Sequence, residues 1–389
     1  MQNCKILSIV GARPNFMKIA PFIKAIEKYN SSPQSSKRKV EHILIHTGQH
    51  YDVRMSESFF KELGIPEPAM NLEIGSGSHA EQIGSTMIAF EKVIKDQKPD
   101  WVVVLGDVNA TLACSVIAKK EGYKVCHIEA GLRSYDLSMP EEINRIVTDR
   151  LSDLLLTPDL ISSENLIKEG IPQGKIRFVG NIMIDTFEAS LHKASTLDLW
   201  QILKSSLIEG SKLNINKSLD NGYVAITIHR PSNVDKKEIL EQIVDFLLQE
   251  VTKEFMLVWP VHPRTLKQLN MFRLWEKIVK NKNVVLLEPL SYHEMLRVTM
   301  GARIMMTDSG GLQEECCVLG IPCLTMRNNT ERPITLTENG GSNILVGNKL
   351  EAITTAYNFV RLCECKPSRP ALWDGHTAER CLEVILKQD

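Results

Sequence analysis

The sequence predicts an α/β protein built from two Rossmann-like, doubly wound parallel-sheet domains. Three observations carry that prediction. Short apolar runs alternate with helical patterns along almost the whole chain, and continuous apolar strands separated by helices read as a parallel sheet covered on both faces. The alternation stops near Glu188 and restarts after Asn221, so there are two series rather than one. The chain has 389 residues, and at roughly 100–200 residues per domain each series can bury a core of its own.

In the first series, Ile6–Val10 is a strand ending at Gly11, and a helical pattern follows from Asn15 to Tyr29. The polar stretch 31–39 is a surface loop. His42–His46 is the second strand, and Trp101–Leu105 (WVVVL) is the clearest. A helix over Asn109–Glu121 separates it from Val125–Ile128; Leu154–Thr157 and Ile176–Val179 complete the series. From Glu188 to Asn221 the pattern predicts a helix and a polar loop. The second series runs through strands Tyr223–Ile228, Phe255–Trp259, Val284–Leu287, Arg303–Thr307 and Cys323–Met326, with an amphipathic helix over Asp235–Gln249. The expected boundaries are a first domain over 1–181, a second over 182–365, and a C-terminal helix within 366–389 packing back on the first domain. No repeat of short period is present.

Composition excludes several classes. With 46 basic and 47 acidic residues the net charge is −1, without the basic excess of a general nucleic-acid binder. No run approaches the ~18–20 apolar residues of a membrane span. The start, KILSIVGARP, has too short an apolar run for a secretory signal. The nine cysteines form no C-x-x-C pair; Cys316 and Cys317 are adjacent, and Cys363 and Cys365 are two apart. They read as reduced core thiols, and the expected location is cytoplasmic.

Ligands of doubly wound sheets sit beyond the carboxyl ends of the strands, so polar residues there matter most. The first strand ends in Gly11-Ala12-Arg13-Pro14-Asn15, with Lys18 in the first helical turn. Proline suits a first turn, and a helix N-terminus flanked by Arg and Lys is an anion site. Asp107 closes the WVVVLGD strand, where capping the next helix and catalysis are equally good readings. Glu129 closes an apolar strand and needs a partner or a task. Met139-Pro140-Glu141-Glu142-Ile143-Asn144-Arg145 opens a helix, where glutamates are ordinary first-turn residues.

In the second series the strand ends carry His229-Arg230-Pro231, then Pro260-Val261-His262-Pro263-Arg264, then Asp308-Ser309-Gly310-Gly311. Glycines at a helix start let backbone N–H groups approach a phosphate. Glu315, one turn in, could take a ribose hydroxyl pair. One anion site per series suggests a nucleotide clamped between the two domains. No G-x-G-x-x-G follows the first strand, and no Walker motif, D-x-D pair or H-E-x-x-H helix is present. Dehydrogenase, P-loop and metal-bridged readings are therefore unsupported, and no metal site is expected.

The motifs GARPNFMK, HTGQHYD, GDVNATLA, HIEAGLRS, PEEINR, HRPSNVD, PVHPR, TDSGGLQEE and TERP follow one another across residues 11–333. Together they closely resemble the non-hydrolysing UDP-N-acetylglucosamine 2-epimerases. The resemblance implies a glycosyltransferase-B-like pair of Rossmann-like domains facing a central cleft, and a homodimer. It also implies interconversion of UDP-GlcNAc and UDP-ManNAc with no cofactor. Carried over by motif, Asp107, Glu129, Glu141 and His229 are the catalytic group. Arg13, Lys18, Arg145, Arg230, Ser309, Gly310, Gly311 and Glu315 bind the UDP-sugar. Some bacterial members bind a second UDP-GlcNAc allosterically, and Gln49, Glu142, His262 and Arg230 match that site. Two departures stand out. Met295 occupies a place often aromatic in the family, and ENGGSN before ILVG is unusually rich in small residues.

The chemistry explains why such groups are needed. The sugar C2 proton is not acidic, because no carbonyl adjoins it on the ring. Expelling UDP from C1 as C2 loses its proton avoids that problem and leaves 2-acetamidoglucal with UDP. Re-addition on the other face completes the exchange. A base, an acid and stabilisation of the departing diphosphate are required. Grouped carboxylates push their pKa values apart, so one can hold a proton near neutrality. The alternatives are a sister epimerase on a UDP-diacetamido-uronic sugar, a hydrolysing 2-epimerase, a two-domain glycosyltransferase and a non-enzymatic nucleotide-binding regulator.

Overall fold

Among the described residues, seven strands and then six follow the two predicted series, and every strand pairing is parallel. The computed structural model describes residues 3–33, 38–48, 60, 62–213, 222–363 and 365–388. The chain divides into one unit of Met1–Phe187 with Pro370–Asp389, and another of Glu188–Arg369. The division falls inside helix Ile182–Ser195.

In the first unit, β1 (Cys4–Val10), β2 (Val40–His46), β3 (Met70–Asn71), β4 (Trp101–Leu105), β5 (Lys124–Ile128), β6 (Leu154–Thr157) and β7 (Ile176–Phe178) stand in the order 3-2-1-4-5-6-7. The chain winds outward from β1 to β3, then crosses back to β4 and winds the other way. The loops after β1 and β4 therefore part at the strand-order reversal, where such sheets bind ligands. All five residues of β4 are buried, as expected for a central parallel strand covered on both faces. Leu7, Val102, Val104 and Val125 pack with Phe90, Ile94, Ala110 and Cys114 from helices His79–Gln97 and Asn109–Lys120. Helix Arg13–Asn30 carries Pro14 in its first turn and buries Phe16, Ile19, Phe22 and Ile23.

The C-terminal helix Thr377–Lys387 packs against helix Arg13–Asn30. Asp185 accepts the first N–H groups of that helix, from Thr377 at 3.0 Å and Ala378 at 2.7 Å. Two orphan donors of a helix start are thereby satisfied by a carboxylate from elsewhere in the chain. Trp373 Nε1 donates to the Pro158 carbonyl at 3.0 Å.

The second unit contains β8 (Tyr223–Thr227), β9 (Met256–Pro260), β10 (Val284–Leu287), β11 (Ala302–Thr307), β12 (Cys323–Thr325) and β13 (Asn343–Leu345), in the order 10-9-8-11-12-13. Its reversal lies between β8 and β11. Strands β3 and β13 are additions to the expected set; two and three residues make no readable apolar run. The helix expected over Asp235–Gln249 is Lys237–Phe246, followed by a π-helical turn at Leu247–Val251. The described cysteines form no disulfide, and burial pushes the Cys114 and Cys381 thiols well up. No helix among the described residues is long and apolar enough to cross a membrane.

Candidate active site

In the first unit Lys18, Glu129, Asp107 and Arg145 meet at the turn that follows β4. Gly106 has φ +63°, a left-handed conformation that suits glycine. A Cβ there would meet Lys18 Nζ at 2.6 Å and Glu129 Oε2 at 3.2 Å. Glycine thus lets the backbone lie against a buried ion pair, for Lys18 Nζ bonds Glu129 Oε2 directly. Lys18 comes from the first turns of helix Arg13–Asn30, and Glu129 from the end of β5. Glu129 itself has φ +74°. A non-glycine residue held in that region costs about 1–3 kcal/mol and is found most often at functional sites.

Asn15, one helical turn before Lys18, braces the same corner. Its Oδ1 accepts from the Gly11 and Ala12 N–H groups at 3.0 and 3.2 Å, and its Nδ2 donates to the Leu105 carbonyl at 2.8 Å. One side chain thus ties the loop after β1 to the end of β4. Arg13, in contrast, is exposed.

Asp107 is one-quarter exposed and bonds Arg145 Nη1 at 2.5 Å through its Oδ2. Arg145 is buried and also donates from Nε and Nη2 to Glu142 Oε2, at 3.0 and 2.6 Å. In this structure the Arg145 guanidinium is thus bonded to Asp107 and Glu142. Glu142 is wholly buried. It accepts from the Ser134 and Tyr135 N–H groups, so it anchors the 134–135 loop rather than facing solvent. Burial pushes its carboxyl up, but the Ser134 N–H and Arg145 outweigh this and hold it below the ordinary value. Glu141 is exposed on the first turn of helix Pro140–Leu151, one turn before Arg145. Gln49 lies outside the described residues.

Asp308 organises the second unit's strand ends. It is wholly buried. Its Oδ2 accepts from the N–H groups of His229 and Arg230 at 2.9 and 2.8 Å and from Asn233 Nδ2 at 2.9 Å; its Oδ1 lies 2.9 Å from His229 Nδ1. Burial pushes this carboxyl up, while His229 and the Arg230 N–H hold it below its usual range. Arg230 Nε donates back to the Asp308 carbonyl at 3.0 Å. The loop after β8 is therefore folded around the end of β11. His229 and His262 rings lie 5.0 Å apart, and the His262 ring caps its own helix by accepting from the Arg264 N–H at 3.1 Å.

Helix Gly310–Leu319 begins directly after Ser309. A Cβ on Gly310 would meet Arg332 Nη1 at 2.7 Å and Glu331 Oε1 at 2.9 Å, whereas one on Gly311 would meet nothing within 4 Å. Arg332 bonds Glu331 and, at 2.7 Å, Glu314. Glu315, only 6% exposed, has its carboxyl pushed up to about 8 by burial.

Several of these residues escape sequence reasoning. Asn15, Asn144, His127 and Asp149 all hold the Asp107 turn or its neighbours. A histidine inside the apolar strand KVCHI is a readable signal, since a buried imidazole needs partners. Asp308 closes a strand as Asp107 does, and the same reasoning applies to it.

A family model described as UDP-N-acetylglucosamine 2-epimerase matches residues 34–386. The UDP-N-acetylglucosamine 2-epimerase of Methanocaldococcus jannaschii is 39% identical over 382 residues, covering 98% of each chain. The crystal structure of that archaeon's enzyme with UDP-GlcNAc and UDP superposes with a TM-score of 0.85, over 98% of this chain and 99% of the other. A UDP-2,3-diacetamido-2,3-dideoxy-D-glucuronate 2-epimerase of Pseudomonas aeruginosa is 37% identical over 345 residues, 88% of each chain. The galactosyltransferase WaaB, at 14% identity and a TM-score of 0.54 over 98% of this chain and 99% of its own, shares the fold alone. With two parallel-sheet units, acids paired at one strand-order reversal and a family match across most of its length, the chain belongs to the UDP-N-acetylglucosamine 2-epimerase family.

Proposed function

We propose that this chain interconverts UDP-GlcNAc and UDP-ManNAc by elimination and re-addition of UDP, supplying ManNAc-type sugars for cell-surface polysaccharide. The observation that supports it most is the pairing of two acids with two cations around one turn: Asp107 with Arg145, and Glu129 with Lys18. Epimerisation at C2 takes a proton from one face and returns one to the other. It therefore needs two proton-transfer groups near one carbon. The step is redox-neutral. The C2–H electron pair becomes the C1=C2 double bond, and the C1–O pair leaves with UDP, so no redox cofactor is required.

In this reading Asp107 and Glu129 transfer protons, with Glu141 at the edge of the same helix face as Arg145. Arg145 orients Asp107 and, as its motif implies, is a contact for the UDP-sugar. The second unit supplies the diphosphate site. Arg230, His229 and the backbone N–H groups from Ser309 to Gly311 stabilise the departing UDP, and Glu315 meets the ribose. Arg13, at the start of the first unit's first helix, is a further cation offered to the UDP-sugar. The enzyme works as a cytoplasmic homodimer, as the resemblance implies. The Pseudomonas relative favours one second reading, in which the sugar is a diacetamido-uronic acid on the same UDP carrier.

The deciding experiment incubates the protein with UDP-GlcNAc in D₂O containing EDTA and follows the sugar by NMR. The expected product is UDP-ManNAc with one deuterium at C2. Exchange only with the UDP-diacetamido-uronic sugar selects the second reading. Stoichiometric free ManNAc with UDP, or no exchange with either sugar, overturns the proposal.

A further inference from the structure

Three consecutive carbonyl oxygens in the turn after β4 are each taken by side chains. Leu105 O accepts from Asn15 Nδ2 at 2.8 Å and from Thr111 Oγ1 at 3.0 Å. Gly106 O lies 2.8 Å from His127 Nε2. Asp107 O accepts from Asn144 Nδ2 at 2.8 Å. The Gly106 N–H in turn donates to the Ile128 carbonyl at 3.2 Å. Both ends of the Gly106 residue are therefore fastened to β5.

His127 is wholly buried in that strand. A carbonyl can only accept, so Nε2 carries a proton. Nδ1 faces Asp149 Oδ1 at 2.6 Å. The other Asp149 oxygen accepts from Arg133 Nη1 at 2.7 Å and from the Gly131 N–H at 3.1 Å. Burial pushes the Asp149 carboxyl up, but His127 and Arg133 outweigh it, so it is ionised. With Asp149 ionised, Nδ1 is placed to donate to it as Nε2 donates to the Gly106 carbonyl. Arg133 closes the set through two 2.7 Å bonds to Glu169.

Helix Pro140–Leu151 holds the Asp107 turn at three points. Asn144 holds the Asp107 carbonyl, and Arg145 holds its carboxylate. Asp149, one turn beyond Arg145 on the same face, reaches the Gly106 carbonyl through His127. We propose that Asp149 and His127 form a positioning pair. The ring, donating from both nitrogens, fixes the Gly106 peptide to this helix and so sets where the Asp107 carboxylate stands. This rests on the reading that Asp107 acts on the sugar.

Two substitutions separate positioning from bulk. In His127→Asn the amide nitrogen falls near the old Nδ1 and keeps Asp149, but nothing reaches Gly106 O. In His127→Gln the amide nitrogen reaches the old Nε2 place and keeps Gly106 O. Steady-state kinetics with UDP-GlcNAc and calorimetry with UDP are measured on both. The Asn variant should lose about 10²-fold in kcat, the scale of a misplaced catalytic group, with KM and UDP affinity unchanged. The Gln variant should restore most of that loss. Unchanged kcat in His127→Asn overturns the proposal. So does equal loss in both variants, or loss of UDP affinity in step with kcat. Should the Asn variant not fold, wild-type protein labelled with ¹⁵N-histidine decides. Two slowly exchanging ring N–H protons on one imidazolium are expected, and a neutral ring in place of this one overturns the pairing. Wild-type protein inert toward UDP-sugars would sink the epimerase reading instead, and that NMR result would stand apart from it.

Discussion

Asp107 and Asp308 occupy the same place in two copies of the same topology. Each follows the strand just beyond the strand-order reversal, β4 in one unit and β11 in the other. Their surroundings differ. Asp107 keeps one-quarter of its side chain exposed and meets a guanidinium. Asp308 is wholly buried and spends its carboxylate on two backbone N–H groups, an amide and an imidazole. One aspartate is presented; the other is consumed in shaping the loop that carries His229 and Arg230. Position in the fold is shared, and the partners assign the task. In the proposed function the units divide accordingly. The first places ionisable side chains in pairs, as proton transfer demands. The second offers backbone donors at a helix start, as anion binding demands.

The largest effect should come from breaking that contrast at its two aspartates. Asp107→Asn is expected to cut epimerisation by about 10²–10⁴-fold, with UDP binding and thermal stability intact. Glu129→Gln should lower turnover on the same scale, but it also leaves the buried Lys18 ammonium without its carboxylate, so its thermal midpoint should fall as well. Asp308→Asn should act in the opposite sense. It takes the charge from a carboxylate that buried N–H groups and the His229 ring share, at about 1–3 kcal/mol, so the thermal midpoint and UDP affinity should fall. Turnover assays, calorimetry and melting curves on the three variants settle it. Near wild-type turnover in Asp107→Asn, or unchanged UDP affinity in Asp308→Asn, would erase the distinction.

The same aspartates show what the sequence can and cannot disclose. The sheet architecture is legible because buried parallel strands are continuous apolar runs; WVVVL and LLLT need no further signal. The edge strands Met70–Asn71 and Asn343–Leu345 are too short to show a pattern. The strand-end rule finds Asp107, Glu129 and the Ser309–Gly311 start because position alone picks them out. What each side chain touches is not local information. Arg145 reads as a substrate-binding cation beside Glu141 and Glu142, and its bond to an aspartate 38 residues away in sequence leaves no local trace. Lys18 reads as a phosphate ligand, and its contact with Glu129 lies across 111 residues. Asn15, His127 and Asp149 work only through carbonyls and side chains brought up by the fold.

A smaller effect sharpens the anion-binding half of the comparison. Gly310→Ala drives a Cβ to within 2.7 Å of Arg332 Nη1 and 2.9 Å of Glu331 Oε1. The pair must shift, and stability should drop. Gly311→Ala meets open space, and alanine is the better helix former. Stability should therefore hold or rise. A phosphate seated against the Gly311 backbone would still be pushed away, with about tenfold or more loss of UDP affinity, the scale of one charge-assisted bond. Unchanged affinity in Gly311→Ala would place the diphosphate elsewhere.

The smallest expected effect isolates Glu315. In the first unit Asp107 and Glu129 each have a cation against them, but Glu315 sits beside another carboxylate, Glu314. Burial pushes its carboxyl up to about 8 from an ordinary value near 4.5; the Tyr292 hydroxyl opposes this and Glu314 adds to it. The folded protein thus holds a proton here that the unfolded chain releases between those two values. Where the folded state binds more protons, stability falls as pH rises. The contribution is fully present below about 4.5, declines through neutrality, and levels off above about 8. Glu315→Gln keeps the shape and has no proton to lose. Its thermal midpoint should match the wild type near pH 5 and exceed it by several degrees at pH 8, since 1 kcal/mol moves the midpoint of a domain this size by about 2–4 °C. Melting curves of both proteins across that range provide the measurement. Parallel curves would mean that Glu315 is ionised in the folded protein, and that a cation compensates it as one does for Asp107.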